Sequence, residues 1–124
     1  MRVLLVDDEE ELVSTLAERL SIRGIEADWV TCGEDALKRA ETETYDLAVL
    51  DVKLPRISGF KLKKLLQEKH PEMKFIFFTG HGSEESFKIG SAEAGAEYYL
   101  AKPVNIELLI RKINEVLVKQ GDED

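Results

Sequence analysis

Five polar residues, far apart in the chain, each follow directly on an apolar run of strand length. Asp7 and Asp8 follow "VLLV", Asp51 follows "LAVL", Thr79 follows "FIFF" and Lys102 follows "EYYLA". Each residue type brings its own chemistry. Carboxylates bind hard cations, and one of them can attack phosphorus as an oxygen nucleophile. An ammonium and a hydroxyl can neutralise and hydrogen-bond the oxygens of a phosphoryl group. Three carboxylates cannot gather uncompensated, since a pair about 4 Å apart repels by roughly 4 kcal/mol at an effective dielectric near 20. Either a pKa rises or a cation binds. With no His or Cys in the set, oxygen ligands favour Mg²⁺, which keeps several waters and takes few protein carboxylates plus phosphate oxygens. If these residues meet, every group needed to place a phosphoryl on Asp51 is present.

Whether they meet depends on the elements that carry them. Residues 9–22 place Val13, Leu16, Ala17 and Leu20 at helical spacing, and Gly24 supplies a stop. Residues 25–30 alternate apolar and polar, as a strand with one wet face does. Residues 34–41 read as a short helix with Ala36, Leu37 and Ala40 on one face. After the apolar run at 47–50 comes the loop "VKLPRISG", in which Ser58 is placed to cap a helix through His70, closed by Pro71. The run at 75–78 leads into "TGHGS", where Ser83 is placed to cap a helix over 84–94. After the strand at 97–101, Asn105 caps a last helix with a stripe of Ile106, Leu109, Ile110, Ile113, Val116 and Leu117.

Five strand-then-helix units with short connections predict an α/β fold, a (βα)5 doubly wound parallel sheet with helices on both faces. Strands 1, 3 and 4 are continuously apolar and belong in the centre, whereas 2 and 5 suit edges. The flavodoxin-like order 2-1-3-4-5 meets those demands and places the ligand edge at the strand carboxyl ends, near the switch between strands 1 and 3. In that order strands 1, 3, 4 and 5 are consecutive neighbours. Their ends bring Asp7, Asp8, Asp51, Thr79 and Lys102 to one shallow pocket.

The pieces "LLVDDEE", "DLAVLDVKLPRISG", "FFTGHG" and "GAEYYLAKP", in this order, resemble the receiver domain of two-component response regulators. The likeness covers essentially the whole chain, with residues 1–120 as the domain and 121–124 as a tail. It implies that Asp51 is the phosphoacceptor, served by a sensor histidine kinase or a phosphotransfer protein. It implies Asp8 as a direct Mg²⁺ ligand, Asp7 as a ligand largely through water, and Asp51 and the backbone carbonyl of Lys53 completing the set, with Mn²⁺ able to substitute. Thr79 and Lys102 would contact the phosphoryl group. Pro103 matches the Lys-Pro pair whose peptide bond is cis in the family. Tyr99 matches the aromatic that swings inward with Thr79, so that the surface of helix 84–94, strand 5 and the last helix changes shape. That change would control an output domain or partner protein, or form a homodimer on phosphorylation. Kinase docking falls on the first helix and the loop after strand 5, with Leu12, Thr15 and Pro103 as candidates.

Composition agrees and excludes other classes. A chain of 124 residues fits one domain, 44% apolar and 34% charged. No apolar run approaches the roughly 18–20 residues that span a membrane, and Asp7 and Asp8 interrupt any signal-like start, so the expected location is the cytoplasm. The lone Cys32 excludes an internal disulfide, and a net charge of −8 argues against nucleic acid as a direct partner. Two rivals stand beside the receiver reading: a binding module that never takes a phosphoryl group, and a turnover enzyme such as an aspartyl-phosphate phosphatase. The intact set of five weighs against the first. The absence of a further acid or base motif weighs against the second, leaving a domain that catalyses only its own phosphorylation and dephosphorylation.

Several residues have plainer readings. Asp8 can cap the first helix with Glu11 completing a capping box, and Glu9, Glu10 and Glu11 read as the acidic first turn favoured by the helix dipole. His81 reads as a polar loop residue, His70 as a helix terminus, and the lysines of "KLKKLLQEK" as a solvated face. Cys32 reads as a small buried hydrophobe, Trp29 as core-facing, and Tyr98 as packing on the sheet face opposite Tyr99. Gly80, Gly82, Gly90 and Gly95, in and around a helix whose large apolar residues are Phe87 and Ile89, mark a region poised to move.

Overall fold

Strands form where short apolar runs can be covered on both faces, and helices where a single apolar stripe can be buried. The computed structural model describes residues 1–80 and 98–122, with side chains at 98 and 118–122 outside that description. Its elements are β1 (Arg2–Val6), α1 (Glu10–Ile22), β2 (Glu26–Val30), α2 (Gly33–Thr42), β3 (Leu47–Asp51), α3 (Gly59–Lys69), β4 (Lys74–Thr79), β5 (Tyr98–Ala101) and α4 (Ile106–Asp122). The helix expected over 84–94, its cap Ser83, His81 and the glycines at 82, 90 and 95 lie outside the described residues.

All strands pair in parallel, in the order β2-β1-β3-β4-β5 that their apolar content predicts. Alternate residues of each strand feed two cores, as a pleat of period two requires. On one face Val3, Leu5, Val49, Ile76 and Phe78 meet Val13, Leu16 and Leu20 of α1 and Leu109, Ile113 and Val116 of α4. On the other, Leu4, Val6, Leu50 and Phe77 meet Ala36 and Ala40 of α2 and Leu62 and Leu66 of α3. Each fully buried Leu, Ile or Phe contributes roughly 1.5–3 kcal/mol, so both faces hold the central strands rigidly.

Local signals fix the element ends. Ser58 Oγ accepts the Lys61 N–H at 3.2 Å, and Asn105 Oδ1 accepts the Leu108 N–H at 3.1 Å. Gly24, with φ of 83°, turns the chain out of α1 into β2.

Four plainer readings need correction. The N-cap of α1 is Glu9, not Asp8, and Asp7 Oδ1 is what accepts the Glu9 N–H at 2.9 Å. Lys63 leaves the solvated face of α3: it is buried, its ammonium 3.1 Å from Gln67 Oε1 and 5.8 Å from the centre of the Phe75 ring. Its alkyl stem packs while its head keeps polar company. Cys32 is half-buried at the N-cap of α2. The last helix runs through Gly121 and Asp122, into the stretch read as a tail.

Candidate functional site

Register assembles the site. Val6 stands opposite Leu50, so the next residues, Asp7 and Asp51, emerge side by side at the carboxyl edge. Asp51 stands opposite Phe78 and Thr79 opposite Ala101, and Lys102 follows. The Lys102 N–H bonds to the Thr79 carbonyl at 2.8 Å, which ties the start of the β5 loop to the end of β4. The Lys102–Pro103 peptide bond is cis.

The β3–α3 loop folds back tightly on Asp51. A Cβ at Gly59 would run into the Asp51 carbonyl oxygen, so only glycine fits where α3 begins. The Gly59 N–H bonds to the Val52 carbonyl at 3.0 Å, and the Lys53 N–H donates to Asp51 Oδ1 at 3.2 Å. Arg56 adopts a left-handed φ of 66°, with its guanidinium 2.9 Å from Glu34 Oε2 on α2. The loop thereby holds the Asp51 side chain by its backbone.

Electrostatics at this edge are tense. Asp7 is fully buried and Asp51 nearly so. The Lys102 ammonium lies 2.8 Å from Asp7 Oδ2, 2.7 Å from Glu9 Oε1 and 3.3 Å from Asp51 Oδ2. Burial raises the pKa of Asp7 even though Lys102 and the Glu9 N–H pull it down. Burial also raises that of Asp51, the charge of Asp7 adds to it, and Lys102 opposes both. For Lys102, burial works against the ammonium, but hydrogen bonds to Asp7 and Glu9 and the charge of Asp51 outweigh it and raise its pKa.

Asp7, Asp8 and Asp51 each offer a carboxylate oxygen, all within 4.8 Å of one another. Three clustered hard oxygen donors, two of them buried, fit a divalent cation, so this cluster could hold a metal ion. Asp8, which is exposed, opens onto a cavity of about 670 Å³ that Asp51, Lys53, Lys102, Leu12 and Pro103 also line. Thr79 is buried at the end of β4. Tyr99 is half-buried against the second core, its ring 5.4 Å from that of Phe77. A smaller depression of about 380 Å³, lined by Tyr45, Asp46, His70 and Met73, lies away from these groups.

The sequence matches the response regulator receiver domain over residues 3–114. The chain belongs to that family. Receiver domains are signalling domains rather than turnover enzymes, and the phosphoacceptor role comes with the family. This receiver domain is 35% identical to the alkaline phosphatase synthesis transcriptional regulatory protein PhoP of Bacillus subtilis, over 94% of this chain and 48% of that one. It thus spans about half the length of such relatives. Its fold is similar to the CheY-like receiver domain protein of Methanospirillum hungatei, with a TM-score of 0.89, 35% identity and coverage of 99% and 98% of the two chains. It is also similar to the BeF3-activated DrrB receiver domain of Thermotoga maritima, with a TM-score of 0.82, 31% identity and coverage of 94% and 96%.

Every strand-end residue singled out in the sequence stands at this edge of the receiver domain. Glu9 is the addition. Its contact with Lys102 spans 93 positions of sequence, and nothing in "DDEEEL" distinguishes it from Glu10 and Glu11.

Proposed function

We propose that this receiver domain accepts a phosphoryl group on Asp51 from a phosphohistidine of a sensor histidine kinase or phosphotransfer protein. One Asp51 oxygen attacks phosphorus, the P–N bond breaks, and the departing imidazole takes a proton. The observation that carries this reading is the Asp51 carboxylate, held by the Lys53 N–H and Lys102 at an open cavity beside Asp7 and Asp8. Lys102 already bonds to the oxygen side of Asp51, where it can follow the charge onto the phosphoryl group. Thr79 would give its hydroxyl to a phosphoryl oxygen and draw Tyr99 inward behind it.

The residues to hold Mg²⁺, with Mn²⁺ as a substitute, are Asp7, Asp8, Asp51 and the Lys53 carbonyl. When bound, the ion neutralises charge on the transferred oxygens. The phosphoryl group adds about −1.5 to −2 charge near neutral pH, enough to reorganise the end of β4, β5 and the face of α4. By likeness to a transcriptional regulatory protein twice its length, the output is a domain or partner that controls transcription, with a homodimer as one form of it. No described helix is long and apolar enough to cross a membrane, and we place the domain in the cytoplasm. Leu12 and Pro103, at the cavity rim, and Thr15 on the same helix would receive the kinase.

Incubation with acetyl phosphate and Mg²⁺, followed by mass spectrometry, tests the core of this. A single Mg²⁺-dependent phosphoryl adduct on Asp51 is expected, and Asp51→Asn should lose it. Stoichiometric labelling of Asp51→Asn would refute the assignment.

A further inference from the structure

Lys102 lies closer to Glu9 Oε1 (2.7 Å) than to Asp51 Oδ2 (3.3 Å). Among the described residues the Glu9 side chain has no other partner. It occupies the N-cap of α1, yet its side chain makes no capping bond, and Glu10 and Glu11 already supply acidic charge in the first turn. Its carboxylate is more than half exposed at the cavity rim, where its hydrogen bond goes to Lys102.

Resting on the reading of Asp51 as phosphoacceptor, we propose that Glu9 is a positioning residue that competes with the phosphoryl group for Lys102. The ammonium hydrogen-bonds Glu9 and Asp51 and pairs with the buried Asp7 Oδ2 at 2.8 Å. A phosphoryl oxygen that enters competes with these carboxylates for the ammonium. Releasing Asp7 would strand a fully buried charge, which is costly. Releasing Glu9 costs little, because water can solvate it. Glu9 is therefore the partner that yields. While bound, it draws the ammonium away from Asp51, so it sets how strongly the phosphorylated form is held without touching phosphorus.

Beryllofluoride, a phosphoryl mimic, titrated into this chain with saturating Mg²⁺ and followed by ¹⁹F NMR, isolates the effect from turnover. Glu9→Gln should tighten its apparent affinity by about threefold, as expected for loss of one exposed charge contact, and the gain should shrink in molar salt. Glu9→Asp, one methylene shorter, should give part of the gain. Glu10→Gln, which removes the same charge one position further along but lacks the Lys102 contact, should give none. Unchanged or weaker binding by Glu9→Gln, or an equal gain from Glu10→Gln, would overturn the inference. No beryllofluoride binding by the wild-type chain would instead overturn the Asp51 reading beneath it.

Discussion

At each edge of the sheet, among the described residues, a single cation lies within 3.3 Å of three carboxylates. At the amino edge Arg2 meets Glu26 at 3.3 Å, Asp28 at 3.2 Å and Glu43 at 2.6 Å, with its guanidinium 5.2 Å from the centre of the Tyr45 ring. At the carboxyl edge Lys102 meets Asp7, Glu9 and Asp51 at similar distances. Burial separates the two. The amino-edge carboxylate side chains are 30–75% exposed, so water screens them. Asp7 and Asp51 are 0% and 8% exposed. Satisfaction separates them too. Tyr45 donates its hydroxyl to Asp28 at 2.6 Å and Asp46 accepts the Arg2 N–H at 2.8 Å, so the amino edge is spent on its neighbours. The carboxyl edge keeps its charges confined beside an open cavity. One network closes the fold; the other leaves Asp51 and Lys102 lining a cavity.

Removing the cation from each edge should give the largest contrast. Lys102→Met leaves two buried carboxylates without their ammonium, a loss of about 3 kcal/mol in urea unfolding without divalent ions. Arg2→Met should lose clearly less, and less again in high salt, because its partners are already hydrated. Equal losses would erase the distinction. Next in size is the response to metal. Mg²⁺ at ten times its dissociation constant should add about 1.4 kcal/mol, a rise in Tm of about 5 °C for a chain of this length. Asp8→Ala should remove most of that rise and Arg2→Met none of it. A rise that survives Asp8→Ala would place the cation elsewhere.

Backbone order was legible in the sequence wherever a residue's environment followed from its own run. Continuous apolarity put β1, β3 and β4 in the centre, and parallel pairing then carried Asp7, Asp51, Thr79 and Lys102 to one edge. Contacts of single long side chains were not legible. Lys63 looks like its neighbours Lys61 and Lys64 in "KLKKLL", yet it is buried because the start of β4 brings the Phe75 ring beneath it. Asp7 and Asp8 are adjacent and chemically equal, yet only Asp7 turns inward and takes the Glu9 N–H. Glu9 and Glu10 differ in whether Lys102 lies within reach. Such choices depend on how each helix packs on the sheet rather than on local spacing.

The smallest expected effect follows from the pKa values. Burial raises Asp51, and the charge of Asp7 adds to it, above an unfolded value near 3.9. The native state then binds more protons than the unfolded chain over the window from that value up to the raised one. Stability therefore falls as pH rises through that window. In divalent-free buffer at pH 7 the ionised Asp51 is thus a net cost to the fold. Asp51→Asn should be more stable than the wild-type chain there, and Lys102 should still keep Asp7 and Glu9 as partners. As pH falls toward 4, wild-type Asp51 takes up its proton and the advantage of the variant should shrink. Thermal melts of both chains at pH 4, 5, 6 and 7 measure the gap. A gap that stays constant or widens in acid would mean that Lys102 outweighs burial at Asp51. The carboxyl edge would then be satisfied in the same sense as the amino edge.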